Sequence, residues 1–314
     1  MTTDSVEQAS PSQLPARRGL AVYFAILVPL TVVFQAIIIS TGDSILWLIP
    51  LMWSPAAASI AARLVLREGF ADVSFRLGGS RTWIYIVLAL ILPLVIGLVA
   101  FGIAWTTGLA RFDPPQPTGL IATLAGAAVS PLTVFLVMVA LAATIGTLLG
   151  CLFAAGEEIG WRGYMLTRLI DAGVPRPILV SGVIWGLWHV PLIFGGLLYV
   201  ESPSPALAAT VFMVSATSFS YVMARLRLET GSIWPAIVGH SAYNSIIQAA
   251  FHPATKYGAG AGLWVDDEAG ILVALALVVT AVVFSRGSWT YVRSLPGRGM
   301  PLSQWLSQQP ARVR

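Results

Sequence analysis

The sequence predicts an all-α fold, a polytopic transmembrane helical bundle of about eight spans with the N and C termini cytoplasmic. Three observations predict it. Apolar residues make up 57% of the 314-residue chain and charged residues only 10%, an apolar share above the roughly half that soluble domains carry. Stretches of about 20 apolar residues, long enough to cross roughly 30 Å of hydrocarbon, recur along the chain. The basic residues gather in alternate connections between those stretches, as the positive-inside rule requires.

The apolar runs cover roughly 19 to 40, 44 to 65, 82 to 106, 131 to 155, 177 to 198, 206 to 225, 231 to 251 and 269 to 285. The first follows Arg17 and Arg18, but it is too long for a signal-peptide core and no A-x-A site follows it, so it reads as an anchor. Residues 1–18, which include Pro11 and Pro15, read as a disordered cytoplasmic tail. Residues 19–285 read as one intramembrane domain with a motif core at 131–251, and residues 286–314 as a basic cytoplasmic tail. Pro175 and Pro177 break the chain before the fifth run. Pro235 falls in the first turn of the seventh, where a missing N–H costs little. Gly146 with Gly150, and Gly182 with Gly186, form small-xxx-small patches that let helices approach closely.

With the N-terminus inside, sixteen of the eighteen Lys and Arg residues fall on the cytoplasmic side, leaving only Arg111 and Lys256 outside. One span more or fewer would scramble that split. The net charge of +4 therefore serves orientation in the bilayer, and no nucleic-acid partner is implied. Compact loops and Arg-dominated basic residues point to a bacterial cytoplasmic membrane. The lone Cys151 excludes an intramolecular disulfide. A thiol in an apolar helix is ordinarily inert packing, because the thiolate is disfavoured there.

Against this background the segment "AAGEEIGWRGY", residues 154–164, stands out for placing two carboxylates and an arginine at the expected cytoplasmic end of the fourth run. Glu158 and Arg162 are four apart and can pair on one helix face. Glu157 is left without that partner. A carboxylate near hydrocarbon with no paired cation is costly, and points to a proton acceptor or a ligand. Two of the three histidines, His189 and His240, also lie inside runs, each roughly 14 to 18 Å into the bilayer at about 1.5 Å per residue. Asn244 follows His240 by one helical turn, on the same face. Ionisable groups at that depth usually face a cavity or one another. His252, at the outer end of the seventh run, reads as an interfacial residue.

Together, E-E-x-x-x-R at Glu157, Glu158 and Arg162, aromatic-x-x-x-H at Trp185 and His189, and H-x-x-x-N at His240 and Asn244 resemble the CAAX protease and bacteriocin-processing (CPBP) family. These are intramembrane endopeptidases that include the Ras-converting prenyl-protein proteases and the bacterial Abi proteins. The resemblance covers about 131–251, and Trp185 stands where the family usually has Phe. It implies hydrolysis of a peptide bond near the C-terminus or membrane-proximal region of a protein or peptide, prenylated or not. By resemblance Glu157 is the general base for a water that His189 also holds, and His240 with Asn244 stabilises the oxyanion. Glu158 and Arg162 then brace the site or bind a substrate carboxylate, and Trp185 packs beside His189. No cofactor is favoured. A zinc ion would take Glu157, His189 and His240 as ligands, but the helix-borne H-E-x-x-H is absent.

Two readings of other classes compete. A proton-coupled transporter would also hold Glu and His at mid-membrane depth, although no charge interrupts the interior of the first three runs and no half-to-half symmetry is evident. A non-catalytic scaffold or bacteriocin-immunity protein of the same fold is the other. The expected partners are the lipid bilayer and a membrane-associated or prenylated substrate, with the active site facing the cytoplasm.

Overall fold

A computed structural model describes residues 13–42, 44–125, 129–199, 201–258, 260–286 and 301–308. Eight helical rods dominate it: α1 (Leu14–Thr41), α2 (Ser44–Leu66), α3 (Ser80–Thr107), α4 (Pro131–Asp171), α5 (Pro177–Phe194), α6 (Pro205–Thr230), α7 (Trp234–Tyr243, continued by Asn244–Phe251) and α8 (Ile271–Arg286). The first six are long and apolar enough to cross a membrane. α8, at 16 residues, is shorter, and α7 carries the polar face of the site. The chain is an integral membrane protein built as an all-α bundle. Among the described residues the sheet is limited to Arg111–Phe112 paired antiparallel with Thr255–Lys256.

Lipid exposure explains the composition. Leu148 is 74% exposed and Leu152 62% exposed on α4, which in water would be an aggregation surface and in hydrocarbon is ordinary. The polar and small residues turn inward instead. α4 packs against α2 and α7, α7 also against α3, and α5 against α6. These approaches are close because glycines permit them. A Cβ on Gly156 would lie 2.7 Å from the Met52 carbonyl oxygen, and one on Gly160 would overlap Pro55. A Cβ on Gly150 would meet Ser241 Oγ at 2.5 Å, and one on Gly182 would meet Thr217 Cα at 3.0 Å. Gly146 and Gly150 thus admit α7 beside α4, and Gly182 and Gly186 admit α6 beside α5.

Several sequence-derived boundaries need correction. α1 starts at Leu14, so Arg17 and Arg18 are helical rather than part of a tail; residues 1–12 lie outside the described residues. The fourth run does not end near 155, because α4 continues to Asp171. Its polar stretch stops the hydropathy signal but is satisfied inside the protein, so the helix need not end. Within the expected basic tail, Leu302–Gln308 is a helix that buries Leu302 and Leu306 against Leu228. Asp171 caps it, accepting from the Leu302 N–H at 2.5 Å and the Ser303 N–H at 3.2 Å. The rest of that tail lies outside the described residues.

The bundle has two distinct ends. At one, Arg63 pairs with Asp72, Arg168 bonds Asp72 at 2.8 Å and Glu68 at 2.8 Å, and Arg81 pairs with Glu229. At the other lie the short sheet, the turn after α5 and the connection from α7 to α8. The basic residues separate accordingly: Arg111 and Lys256 are the described ones at the second end.

Candidate active site

Local helix geometry aims the polar residues. Besides Ala142–Gly146 earlier on α4, two widened, π-type segments adjoin the polar residues, Trp161–Met165 on α4 and Asn244–Phe251 on α7. Each inserts an extra residue per turn and rotates the face that follows, a distortion common at functional sites. The first begins three residues after Glu158 and the second at Asn244 itself.

Glu157 is 2% exposed and accepts two indole N–H bonds at Oε2, from Trp185 at 2.7 Å and Trp161 at 3.4 Å. Among the described residues no cation pairs with it, as its isolation in the sequence suggests. Glu158 does pair with Arg162, at 2.7 Å. The same oxygen also receives His240 Nδ1 at 2.8 Å, a contact the spacing could not reveal. All three are buried, so the ion pair is dry. The Arg162 guanidinium lies 4.8 Å from the centre of the Trp185 ring, which supplies a second, cation–π contact.

The histidines are held in defined tautomers. His189 Nδ1 lies 3.0 Å from the Trp185 carbonyl oxygen. A carbonyl only accepts, so Nδ1 carries hydrogen and Nε2 of the neutral ring keeps its lone pair. Rings of Trp188 at 4.7 Å, Phe212 at 5.0 Å and Trp185 at 5.3 Å fix its plane. His240 likewise donates from Nδ1 to Glu158, and its Nε2 is the nitrogen left free. Trp185 therefore does more than pack beside a histidine: it orients Glu157 through its indole, His189 through its carbonyl and Arg162 through its face.

Glu157, Trp185, Trp188, His189 and His240 line one cavity of about 170 Å³, together with Asn244, while Glu158 and Arg162 lie behind it. Its floor is Glu157 on α4. Its walls are Leu48, Leu51 and Met52 of α2, Leu192 of α5, Phe212, Ala216 and Phe219 of α6, and Gln248 of α7. Leu48, Leu51 and Met52 of α2, Leu192 of α5, Phe212 and Ala216 of α6 and Asn244 and Gln248 of α7 lie in the halves of their helices nearer the second end, whereas Glu157, Trp185, Phe219 and His240 lie at mid-helix or toward the first. Tyr199 and Glu268, in the connections at that end, also line it. Glu268 accepts from Tyr199 Oη at 2.7 Å and from Gln248 Nε2 at 3.0 Å. Burial and the neighbouring Asp267 charge push its carboxyl up to about 7, against those two hydrogen bonds. Sequence reasoning missed Glu268 and Tyr199, because charged and aromatic residues in a loop are unremarkable until the loop is placed.

The donor set also bears on a metal. Zinc holds its ligands at about 2.0–2.2 Å, so the donor atoms of a zinc site lie within about 4 Å of each other. Among the described residues, the group of three whose ligand-type atoms fall within 4.8 Å of one another is His252, Asp266 and Asp267. Glu157, His189 and His240 do not draw that close, so as arranged they do not fit a zinc ion. His252 is likewise more than interfacial: its Nδ1 faces Asp266 at 3.2 Å, Asp267 at 3.0 Å and Tyr257 Oη at 2.9 Å. Burial opposes its charge, but the two carboxylates outweigh that and push it up to about 10.

Comparison with known proteins agrees with the geometry. Residues 130–246 match the family model described as Rce1-like, the Type II CAAX prenyl endopeptidases. This is the family the three motifs resemble. The match spans a little over a third of the chain and holds Glu157, Glu158, Arg162, Trp185, His189, His240 and Asn244, whereas Gln248 and Glu268 lie beyond it. No curated protein matches the chain.

Proposed function

We propose that the protein is an intramembrane endopeptidase in which Glu157 and His189 activate a water molecule and His240 with Asn244 receives the oxyanion. The observation that carries this reading is the convergence of those four side chains on one cavity at hydrocarbon depth. Glu157 has one oxygen fixed by two indole N–H groups, which leaves the other to take a proton, and among the described residues no cation competes for it. His189 Nε2 offers a lone pair to the second hydrogen of the same water.

The chemistry then balances with this chain's own residues. Water oxygen bonds the scissile carbonyl carbon while its proton passes to Glu157. His240, as an imidazolium with Glu158 as counter-ion, donates from Nε2 to the developing oxyanion, and the Asn244 amide donates beside it. Donors of this kind are worth about 3–4 kcal/mol each in a site shielded from water. As the C–N bond breaks, Glu157 returns the proton to the leaving nitrogen. Glu158 and Arg162 act through His240 and Trp185, so bracing the site is the role their contacts favour over binding a substrate carboxylate. No step passes through a metal.

The substrate is a C-terminal or membrane-proximal peptide segment. We place the arginine-rich end in the cytoplasm, of a bacterial cell, on the positive-inside rule. The cavity walls lie toward the other end, so this orientation and the expected cytoplasm-facing site part company. The mouth then faces the opposite compartment.

Purified protein in detergent, incubated with prenylated and unprenylated C-terminal peptides, tests the reading. Cleavage should persist with a chelator, and should vanish in Glu157→Gln and His240→Ala. Cleavage lost to the chelator and restored by zinc alone would reverse the metal-free mechanism. A Glu157→Gln protein that retains its cellular role would favour the scaffold, and one that loses ion or solute flux without any wild-type cleavage would favour the transporter.

A further inference from the structure

The cavity holds a carboxylate that the proposed hydrolysis does not use. Glu268 lines it at the rim, and each of its oxygens accepts one hydrogen bond from a neutral donor, Tyr199 Oη or Gln248 Nε2. Among the described residues no Lys, Arg or His pairs with it. The walls below it are Phe212, Phe219, Leu192 and Leu198, which give an anion nothing. An unneutralised carboxylate facing an apolar cavity is costly unless something arrives to match it.

Its position is set by α7. His240, Asn244 and Gln248 all line the cavity, and Gln248 follows His240 by eight residues, so it lies at most about 12 Å beyond it at about 1.5 Å per residue. Glu268 is bonded to Gln248. An extended peptide, at about 3.3 Å per residue, covers that distance in three to four residues. The surrounding end of the bundle is acidic as well: Asp113 is already paired with Arg111 at 2.7 Å, and Asp266 and Asp267 face His252. Glu201 adds to it.

We propose that Glu268 is a specificity-determining residue that selects peptides carrying a Lys or Arg side chain three to four residues from the scissile bond, on a segment entering from this acidic end. The position relative to the scissile bond rests on the peptidase reading; the recognition of a basic group does not. Once a cation docks, the carboxyl ionises fully, and Tyr199 and Gln248 hold it in place. A purely structural Glu268 would instead pin the Tyr199 turn to α7 without choosing among substrates.

The test uses the full chain in detergent and two fluorescent peptides identical except for Lys against norleucine, with the variable residue moved stepwise along the sequence. Binding is measured in the Glu157→Gln background, and kcat/KM in the protein with Glu157 intact. Glu268 should favour the Lys peptide at least tenfold at one or two adjacent positions, mainly through KM. Glu268→Gln should erase that preference and leave the norleucine peptide within about twofold. Tyr199→Phe, which keeps the carboxylate, should retain it, and guards against a Glu268→Gln protein that is merely unstable. Equal losses for both peptides, or no preference at any position, overturn the proposal. A binding preference without any cleavage would leave recognition standing and remove the peptidase reading. Cleavage of both peptides without preference would do the reverse.

Discussion

Glu157 and Glu158 are adjacent and both buried, yet their replacement by Gln should produce opposite signatures. Glu158 holds two partners at one oxygen, Arg162 at 2.7 Å and His240 at 2.8 Å, and the side chains of Glu158 and Arg162 are 0% exposed. Glu158→Gln leaves that guanidinium buried without a counter-ion, a loss of about 3–5 kcal/mol. At about 2 °C per kcal/mol for a large domain, the unfolding midpoint should fall by roughly 6–10 °C. Glu157→Gln strands no cation, and its amide oxygen still accepts from Trp185, so the midpoint should stay within about 2 °C of wild type. Cleavage should show the reverse order. Removing the base should cost about 10²–10⁴-fold, whereas Glu158→Gln, assayed well below its midpoint, should lose less, through a misplaced His240. Intrinsic tryptophan fluorescence during heating, paired with peptide cleavage, measures both. If Glu158→Gln is as stable as wild type, the dry ion pair described here is wrong; if Glu157→Gln still cleaves at the wild-type rate, the assigned base is wrong.

Other consequences can be measured separately. Gly160→Ala puts a Cβ into Pro55, so it should separate α2 from α4 and cost about 1–3 kcal/mol, whereas Gly102→Ala, with nothing within 4 Å of its Cβ, should leave the midpoint unchanged. His252 is raised from 6.5 to about 10 in the folded protein, so its ion pairs stabilise fully below about pH 6.5 and lose that contribution as pH rises through 10. The midpoint advantage of wild type over His252→Gln should therefore shrink between pH 7 and 10, and a constant difference would refute the pairing. In a Cys151→Ser background, an impermeant maleimide added to intact cells should label Lys256→Cys, and should reach Arg67→Cys only after lysis. The opposite pattern would turn the cavity mouth toward the cytoplasm.

Much of the fold can be read in the sequence because hydrocarbon leaves few options: a chain this apolar must close its backbone hydrogen bonds within helices, and the eight runs map onto α1 to α8. The errors fall where polar residues are satisfied by protein rather than water. Hydropathy ends the fourth run near Ala155, but Glu157, Glu158 and Arg162 find partners in Trp185, His240 and one another, so α4 continues. The 302–308 helix is invisible locally, because it depends on Leu228 and Asp171, more than 70 residues away in sequence. The site divides in the same way. Glu157, His189, His240 and Asn244 stand out because ionisable or amide groups at hydrocarbon depth are rare. Glu268, Tyr199 and the His252 cluster do not, because they sit in connections where such residues are common.

The same contrast bears on how the site can discriminate. Its chemical groups are fixed from within: Trp185 alone contacts Glu157, His189 and Arg162, and Glu158 neutralises Arg162 while orienting His240. On the proposed reading the floor holds the peptide bond, and nothing in that set reaches toward the rim to choose among side chains several residues away. That choice must come from the walls and the mouth. The walls are apolar and offer no polar contact to an entering segment, so in the proposed scheme the polar rim of Tyr199, Gln248 and Glu268 is the part that would reject a substrate. Because Gln248 and Glu268 lie beyond the segment that matches the endopeptidase family, two chains could share this floor and its chemistry while differing in what they cut.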